Sequence, residues 1–599
     1  MKKISIILAS ITVTVSLFTS CDKMLEEVNY GNPTTADLMT DETNVALLVG
    51  QCYADVKWLH DHWGYWGVVT LTADEGLCPT RMPDKDWADG GYWRNLNTHN
   101  WNEMGGAFRN IWNTTISGAV LCNKLIKTLT DNKSSMSDKV YAQYVGELEV
   151  MRSYYFYMLF DCFGHIPYLE TFEERATDPL MEPEDVWTHL VNCLEKNAPN
   201  LPVVKDETDR ALNYGRATQG FAYALLARLY LNAESFGCTP ENIGSIVDVT
   251  SLQEDGTYSK NLTIASAADF YTNVVRCCDA IIDAGSYSIE DNYFNNFKID
   301  NSSSKENIFV IVENGEAGID ERSGADGMML NKLRIALLTL NYNHQKTYGL
   351  LETPWNGFCA RPGFIDRYHN HDVRGPGYEG LGTKDTKQWG WFLGQIYDAA
   401  GKKCKDKDEA KSDAYIVKDI VDIAGNPEPT LSEVSDLSGA RSIKYEIDKG
   451  GKYKYSENDF VLFRYADVLW MKEEAILRGG AGTTGYNSKD FVTLRKRCFA
   501  YDADPAASYA AAYPALATAP SLDEILDERG REFAWENMRR RDLIRFDKFN
   551  KPEYVEFVKA TETWRNWFPI PYKILEKSYV DEATGLHVWK QNEGYTPFE

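Results

Sequence analysis

Tryptophan is the residue type whose placement in this 599-residue chain most clearly suggests binding chemistry. Seven of the sixteen tryptophans fall between residues 53 and 112, in segments such as HDHWGYWG and RMPDKDWADGGYWRNLNTHNW that are too rich in Gly, Asp and Asn for continuous helix. Flat indole faces suit the C–H faces of sugar rings, and Asn, Asp and Arg suit the hydroxyls. The cluster predicts a carbohydrate site, with packing as the alternative for each ring. Its members are Trp58, Trp63, Trp66, Trp87, Trp93, Trp101 and Trp112, the last on a predicted helix and expected in the core.

Hydrolysis of a sugar chain would need two carboxyl groups about 5–10 Å apart in a cleft. TADEGLCP supplies Asp74 and Glu75, and WENMRRRD supplies further acids, but adjacent or helical acids are more typical of caps and ion pairs. The sequence GPGYEG at 375–380 matches GxGxxG without a surrounding βαβ pattern and is interpreted as a loop. There is no HExxH, Walker A or GxSxG motif. Binding is favoured over catalysis.

Two histidine motifs are candidates for a metal site. YHNHD contains His369, His371 and Asp372, and HDHW contains His60 and His62. A turn beside an Asp372–Arg374 ion pair explains the first motif better than a metal does, and the second motif is similarly weak evidence for a metal. No metal site or cofactor is predicted, although a structural calcium ion stays open.

ERGREFAWENMRRRDLIRF, residues 528–546, contains six arginines and four acids, a net charge of only +2. Four-residue spacing predicts the pairs Asp527–Arg531 and Glu536–Arg540 on a helix spanning 521–546, which starts with a Ser521–Glu524 capping box. Glu532 lies within reach of Glu528 and Glu536, so arginines from elsewhere must separate these acids. Because apolar residues are interleaved with the charges, we interpret the segment as a partly buried scaffold of ion pairs.

Composition narrows the classes of partner. A net charge of -25 argues against nucleic acid, which needs a positive surface, and leaves neutral ligands unaffected. With 44% hydrophobic and 25% charged residues, the chain is typical of a folded globular protein. Twelve cysteines without CxxC spacing do not define a disulfide framework and are interpreted mainly as small buried side chains.

The first 21 residues, MKKISIILASITVTVSLFTSC, predict export. Two lysines precede an uncharged run from Ile4 to Ser20, which is typical of a secretory signal peptide and too short to span a membrane. Small residues before Cys21 predict lipoprotein processing, with Cys21 acylated. Residues 1–20 are therefore predicted to be the signal peptide and 21–40 a lipidated linker that holds the protein on a membrane.

Hydrophobic periodicity predicts a mostly α protein. Residues 41–240 and 458–599 show helical spacing, and a stripe of Ala217, Gly220, Ala224 and Ala227 favours the close approach of a neighbouring helix, as in stacked helical hairpins. Residues 241–457 are rich in Gly, Asn, Asp and Ser, which predicts a large irregular, loop-rich insertion with a few short strands such as NIFVIVE at 307–313. The regions are expected to form one globular unit.

The segment 528–546 also resembles the C-terminal signature of the SusD/RagB-like outer-membrane lipoproteins, ERxxExxxEGxRxxDLxR. The matching positions are Glu528, Arg529, Glu532, Glu536, Arg539 or Arg540, Asp542, Leu543 and Arg545, with Asn537 in place of the usual Gly. MRSYYFYMLFDCFGHIPY, GRATQGFAYALLARLYLNAE, FRYADVLWMKEEA, RPGFIDRYHNHDVR, FPIP and QNEGY follow the family's order. The resemblance spans nearly the whole chain.

The resemblance implies a tetratricopeptide-like helical superhelix frame and a non-catalytic lipoprotein on the outer-membrane surface. Such a protein captures oligosaccharides and passes them to a TonB-dependent, SusC-like transporter. By region, the family's glycan contacts correspond to the N-terminal loops and to loops of the insertion. The expected ligand-binding residues are Arg81, Asp86, Trp87, Tyr92, Trp93, Trp66, Trp101 and Trp355. A peptide-binding protein of the same fold and a surface glycoside hydrolase are the alternatives.

Overall fold

A computed structural model gives the fold of the chain. It describes residues 42–82, 90–172, 177–313, 335–342, 345, 349–376, 390–395, 416–417, 434–435, 439–447 and 457–598. Cys21, the signal peptide and the linker lie outside the described residues, as do Asp86, Trp87 and most of GPGYEG.

Helices dominate the described residues, and the strands are short. The helices are α1 (Glu42–Gly50), α2 (Val56–Leu59), α3 (Tyr65–Thr72), α4 (Tyr92–Asn97), α5 (Gly106–Asp131), α6 (Asp138–Phe163), α7 (Pro183–Asn197), α8 (Glu207–Asn213), α9 (Gln219–Leu231), α10 (Ala267–Asp283), α11 (Ile335–Thr339), α12 (Pro362–Ile365), α13 (Tyr465–Leu477), α14 (Lys489–Lys496), α15 (Pro505–Ala512), α16 (Leu522–Glu532), α17 (Arg539–Arg545) and α18 (Tyr572–Leu575). The strands are β1 (Arg81–Met82), β2 (Asn307–Ile311), β3 (Gly390–Phe392), β4 (Gly394–Gln395), β5 (Ile416–Val417), β6 (Val434–Ser435), β7 (Arg441–Ile443) and β8 (Phe460–Arg464). The mostly α prediction is confirmed.

The frame is a stack of helical hairpins. Helices α5 and α6, each 26 residues long, form the first hairpin. They approach closely because Gly118 of α5 faces the ring of Tyr155, where an added Cβ would lie 2.4 Å from the ring. Helix α7 packs on α6, α9 on α7, α10 on α9 and α13 on α10, which is the tetratricopeptide-like arrangement expected. Among the described helices, none is both long and apolar enough to cross a membrane.

Gly220, Ala224 and Ala227 of the small-residue stripe lie on α9, which packs against α7 and α10, and Ala217 lies just before the helix. Ala224 and Ala227 are fully buried there. Gly220 serves a different neighbour, because an added Cβ would lie 2.7 Å from the ring of Tyr287. The small residues of the stripe therefore leave room for the neighbouring helices α7 and α10 and for the ring of Tyr287.

Helix α10 lies within the segment predicted to be irregular, and it belongs to the frame. Its apolar positions, which include Phe270, Val274 and Ile281, recur at helical spacing and are buried. The Asp269 carboxylate accepts the Ser266 backbone N–H at 2.9 Å and caps the helix start. Because the surrounding loops are rich in polar residues, the average composition of the segment does not predict this 17-residue helix.

The strands pair in four two-stranded sheets among the described residues. The predicted strand within 307–313 is confirmed as β2, which pairs antiparallel with β8 directly before α13. The pairs β3–β7 and β4–β5 are also antiparallel, whereas β1–β6 is parallel. Of these pairs, β1–β6 joins the N-terminal part of the chain to the segment near residue 434, and β8 leads directly into α13.

One hydrophobic core joins the two ends of the chain, with members from Val45 to Tyr595. Trp112 is buried in it, as predicted. Nine of the ten described cysteines are buried, which agrees with their interpretation as small packing residues.

The segment 528–546 forms two short helices, so the prediction of one helix over 521–546 is wrong. Helix α16 ends at Glu532 and α17 begins at Arg539. Between them, Trp535 and Asn537 adopt left-handed backbone conformations, with φ of 62° and 68°. Asparagine tolerates this region better than most residues do, which explains why it stands where the family usually has glycine.

The local interactions predicted for this segment are also wrong. The Ser521 side chain makes no capping hydrogen bond. Arg531 pairs with Glu528 at 2.7 Å instead of with Asp527, and Arg540 pairs with Asp161 at 3.2 Å instead of with Glu536. In both cases the arginine pairs with an acid other than the one four residues away along the helix.

Arginines from other elements do separate the acids, as predicted. Arg374 contacts Glu528 and Glu532, both at 2.9 Å, and Arg464 contacts Glu532 at 2.9 Å and Glu536 at 2.8 Å. We call the whole buried set the arginine lattice. It consists of Arg374, Arg464, Arg497, Arg529, Arg531, Arg539, Arg540 and Arg541 with Asp74, Asp161, Glu306, Asp372, Asp467, Glu528, Glu532, Glu536 and Asp542.

Glu532 lies at the centre of the arginine lattice. Burial acts to raise its pKa, but Arg497, Arg464 and Arg374 outweigh burial and hold the pKa below its ordinary value. Removing one partner from such a buried set costs about 3–5 kcal/mol, because the remaining charges stay desolvated and unpaired. The lattice is a scaffold.

Candidate functional site

A short helix and a tight turn bring two tryptophans of the N-terminal cluster to the surface. Val56 and Leu59 of α2 point into the core, which leaves Trp58 half-buried on the outer side. The turn that follows is held by the Asp61 carbonyl, which accepts the N–H groups of Gly64 at 3.0 Å and Gly67 at 3.2 Å. Glycine is required at 64, since an added Cβ would lie 2.5 Å from the Trp58 carbonyl oxygen.

Trp63 is held in place by other aromatic rings. It stacks on Tyr92 with centroids 5.5 Å apart, and the edge of Trp93 meets it at 4.6 Å. Its ring also lies next to Gly106 at the start of α5, where an added Cβ would be 3.4 Å from the indole. A half-buried indole fixed on several sides is ready to bind a ligand without losing rotamer freedom.

Helix α5 supplies the opposite wall. Its buried face includes Ile111, Thr115 and Gly118. Its outer face carries a polar stripe at i, i+3, i+4 and i+7, which consists of Asn110, Asn113, Thr114 and Ser117. The Asn110 amide donates to the Trp63 carbonyl at 3.3 Å and joins the two walls.

Between these walls lies a pocket of about 540 Å³. This volume is within the range usual for small-molecule sites. Its lining combines two indole rings with amide, hydroxyl and carboxylate groups: Asp55, Trp58, Leu59, Asp61, Trp63, Gly64, Asn110, Asn113, Thr114 and Ser117. Aromatic faces opposite a row of hydrogen-bonding groups suit a polyhydroxylated ring.

Four of the residues predicted to bind ligand lie in the interior. Arg81 is fully buried and donates to the Cys359 sulfur at 3.3 Å. Trp66 stacks on Phe358, and the Trp66 indole N–H donates to the Trp535 carbonyl at 3.0 Å.

Trp93 and Trp101 are also buried, and the Trp101 indole donates to the Tyr595 hydroxyl at 2.7 Å. The structure buries Arg81, Trp66, Trp93 and Trp101 among protein neighbours, and their contact with a ligand stays a prediction. The candidate site is built without them.

Tyr92 and Trp355 lie beside the pocket and are half-buried. Tyr92 stacks on Trp63, and its hydroxyl accepts the Ala107 N–H at 3.2 Å. Trp355 meets the ring of His62, which follows Asp61 in the turn, at 5.8 Å. Both therefore support the pocket wall. Asp86 and Trp87 lie outside the described residues, and their ligand contacts stay predictions.

Sequence reasoning missed the residues that line the pocket. Trp58 and Trp63 belong to the tryptophan cluster but not to the expected ligand-binding residues, which also lack the polar stripe of α5. The stripe has a readable signal, because NxxNTxxS from 110 to 117 places four uncharged hydrogen-bonding side chains on one face of a predicted helix. Four polar residues on the outer face of a helix are also usual for solvation, so only the neighbouring tryptophans make them informative.

The acids considered for hydrolysis serve the scaffold. Asp74 is buried and pairs with Arg539 at 2.7 Å and with Arg367 at 2.9 Å. Burial acts to raise the pKa of Asp74, but these arginines outweigh burial and hold it below its usual value. Burial raises the pKa of Glu75 to about 8, and its carboxylate accepts the Trp535 N–H at 2.8 Å.

The YHNHD motif forms the predicted turn. Asp372 and Arg374 pair at 2.6 Å inside the protein, so this acid is committed to the arginine lattice. His369 accepts the His371 N–H at 3.1 Å, and His371 faces Asp502 at 3.2 Å. In the described part of the chain, no group of three or more His, Cys, Asp or Glu side chains is arranged to hold a metal ion.

Two family models match the chain. One, described as the SusD family, matches residues 338–595, and the other, described as starch-binding and associating with outer membrane, matches residues 68–231. The starch-binding protein SusD of Bacteroides thetaiotaomicron is 23% identical over 498 residues, which cover 78% of this chain and 75% of that protein.

Solved structures share the fold at low identity. Surface glycan-binding protein A from Bacteroides thetaiotaomicron, in complex with laminarihexaose, superposes with a TM-score of 0.63 at 18% identity and covers 92% of this chain and 99% of its own. A SusD superfamily protein from Parabacteroides distasonis gives a TM-score of 0.62 at 15% identity, with the same coverage. These matches confirm the predicted helical frame.

Proposed function

The chain belongs to the SusD/RagB-like family, and on this premise we propose that it is a non-catalytic glycan-binding protein of the outer-membrane surface. It captures oligosaccharides and passes them to a TonB-dependent, SusC-like transporter. The observation that carries the proposal is the pocket in which Trp58 and Trp63 face the polar stripe of α5. A relative that is named as starch-binding and a neighbour named as glycan-binding support the same ligand class.

The chemistry of the pocket suits capture followed by release. Each indole stacked on a sugar ring contributes about 1 kcal/mol, and neutral hydrogen bonds contribute similar amounts. Two indoles and a few hydrogen bonds therefore give affinities in the millimolar to micromolar range. A protein tethered beside its transporter by acylated Cys21 needs no more, because tethering raises the local ligand concentration and weak binding permits fast release.

The proposal is tested by titration calorimetry of the mature chain, residues 21–599 in detergent. The ligands are malto- and laminari-oligosaccharides together with plant, host and microbial glycans. We expect Trp58→Ala and Trp63→Ala each to weaken binding by about 5-fold. Tyr579→Ala is the matched control, because this ring is 43% exposed but lies outside the pocket.

The same samples distinguish the alternatives. New reducing ends in the glycan mixtures would identify a glycoside hydrolase. Binding of peptides, together with no binding of any glycan, would identify a peptide-binding member of the fold. Either result would replace the proposal. Purification of the lipidated protein from outer membranes, followed by identification of co-purifying proteins, tests the transporter partner.

A further inference from the structure

The charged groups that line the pocket favour uncharged glycans over anionic ones. Among its described lining residues, the charged ones, Asp55 and Asp61, are both acidic, and the other polar side chains are amides and hydroxyls. The whole chain carries a net charge of -25. An anionic sugar such as a uronate or a sulfated sugar would lose hydration without gaining an opposite charge, and like charges nearby repel it. An uncharged sugar meets neither cost.

The polar stripe also extends along the pocket in one direction, away from Trp63 along α5. Trp63 marks one end of the stripe, because its ring lies next to Gly106 and its carbonyl accepts from Asn110. Ser117 lies seven residues further along α5, which corresponds to about 10 Å along the helix axis at 1.5 Å per residue. This length accommodates about two pyranose rings in a chain, beyond the ring that stacks on Trp63.

We infer that the pocket binds an uncharged oligosaccharide segment of about three sugar rings that runs along α5 from Trp63 toward Ser117. The inference rests on the proposed glycan binding and adds the charge class and the orientation of the ligand. Neutral amides and hydroxyls on successive turns of α5 donate to and accept from hydroxyls of successive rings. Asn110 serves the ring next to Trp63, and Ser117 serves the far ring.

The test uses the mature chain and two series of oligosaccharides matched in length from two to six rings. The neutral probes are malto- and laminari-oligosaccharides, and the acidic probes are oligogalacturonates and alginate oligomers. We expect binding of a neutral series, with affinity that rises from two to three rings and then levels off. We expect the acidic series to bind at least about 10-fold more weakly than the neutral series at 150 mM salt.

Variants on α5 test the orientation. Ser117→Ala is expected to weaken binding of three rings and longer by about 3-fold and to leave two rings unchanged, since one neutral hydrogen bond is lost at the far end. Asn110→Ala is expected to weaken binding at every length. Lys124→Ala is the control, because Lys124 is exposed on the same helix outside the pocket.

The outcomes separate this inference from the proposed function. Acidic oligomers that bind as tightly as neutral ones would overturn the charge class. A Ser117→Ala variant that is unchanged at every length would overturn the orientation, while loss of binding in Trp63→Ala would still support glycan capture. No binding of any oligosaccharide, or binding unaffected by Trp58→Ala and Trp63→Ala, would overturn the proposed function and the inference together.

Discussion

The arginine lattice and the pocket use opposite chemistry in opposite places. The lattice consists of charged side chains buried in the interior. Glu532, for example, contacts Arg374, Arg464 and Arg497. The pocket presents indole rings, amides and hydroxyls at the surface, together with the two carboxylates of Asp55 and Asp61. The charged residues of 528–546, which the sequence makes candidates for catalysis or binding, hold the frame together. The half-buried rings of Trp58 and Trp63 remain accessible to a ligand. In this fold, the site is therefore found by exposed aromatic rings and not by clustered charge.

The largest effect is expected for Glu532→Gln in the lattice. The amide places an N–H group against an arginine where a carboxylate oxygen accepted from it, so we expect a loss of about 3–5 kcal/mol in the free energy of unfolding. Urea denaturation followed by circular dichroism measures it. Glu241→Gln, an exposed change of the same kind, should stay within about 0.5 kcal/mol. Equal stability of the two variants would contradict a structural role for the lattice.

Trp93→Ala separates the buried rings from the pocket rings. Trp93 is buried beneath Trp63, so truncation leaves a cavity and is expected to lower the free energy of unfolding by about 3 kcal/mol. Trp58→Ala removes a half-buried ring and is expected to cost less than half as much stability. Thermal and urea denaturation of both variants provide the comparison. If Trp58→Ala proved the more destabilising, Trp58 would belong to the core.

Glu75→Gln isolates a pH dependence that belongs to the interior. Burial raises the pKa of Glu75 to about 8 from 4.5, so the folded chain keeps this proton while the unfolded chain releases it. The free energy of unfolding should therefore fall as pH rises from about 4.5 to about 8. The variant has no such proton to release, and we expect it to be more stable than the parent by about 3 kcal/mol at pH 7. Unfolding midpoints of both proteins from pH 4 to pH 9 measure the difference, and parallel pH profiles would contradict it.

The smallest effect is expected for Asn113→Ala in the pocket. It removes one exposed hydrogen-bonding group, so glycan affinity should fall by about 0.5–1 kcal/mol while the free energy of unfolding changes by less than about 0.5 kcal/mol. Calorimetry and urea denaturation of the same preparation test both values. A change in stability larger than the change in affinity would assign Asn113 to the frame instead.

Local periodicity explains what could be predicted. The spacing of apolar residues on α5, α6 and α9 repeats over many turns, so the helical frame is readable from the sequence. The need for outside arginines near Glu528, Glu532 and Glu536 follows from like charges at helical spacing. Neither inference requires knowledge of distant parts of the chain.

Long-range contacts explain what could not be predicted. Trp66 and Trp93 stand in the same kind of segment as Trp58 and Trp63, and only contacts with residues such as Phe358 decide which rings are covered. Helix α2 is four residues long, too short for periodicity to show that Trp58 faces outward. The break at 533–538 depends on Glu75, 460 residues earlier, which accepts the Trp535 N–H.

These long-range contacts also determine how late in synthesis the chain can complete its fold. Asp74 is synthesised 465 residues before Arg539, and Asp161 is synthesised 379 residues before Arg540. Asp161 therefore meets its arginine partners, and Asp74 meets Arg539, only when about the last tenth of the chain is made, although Arg367 is available to Asp74 earlier. Contacts of such high sequence separation form slowly. Truncation near the C-terminus would leave nascent chains as substrates for chaperones and proteases.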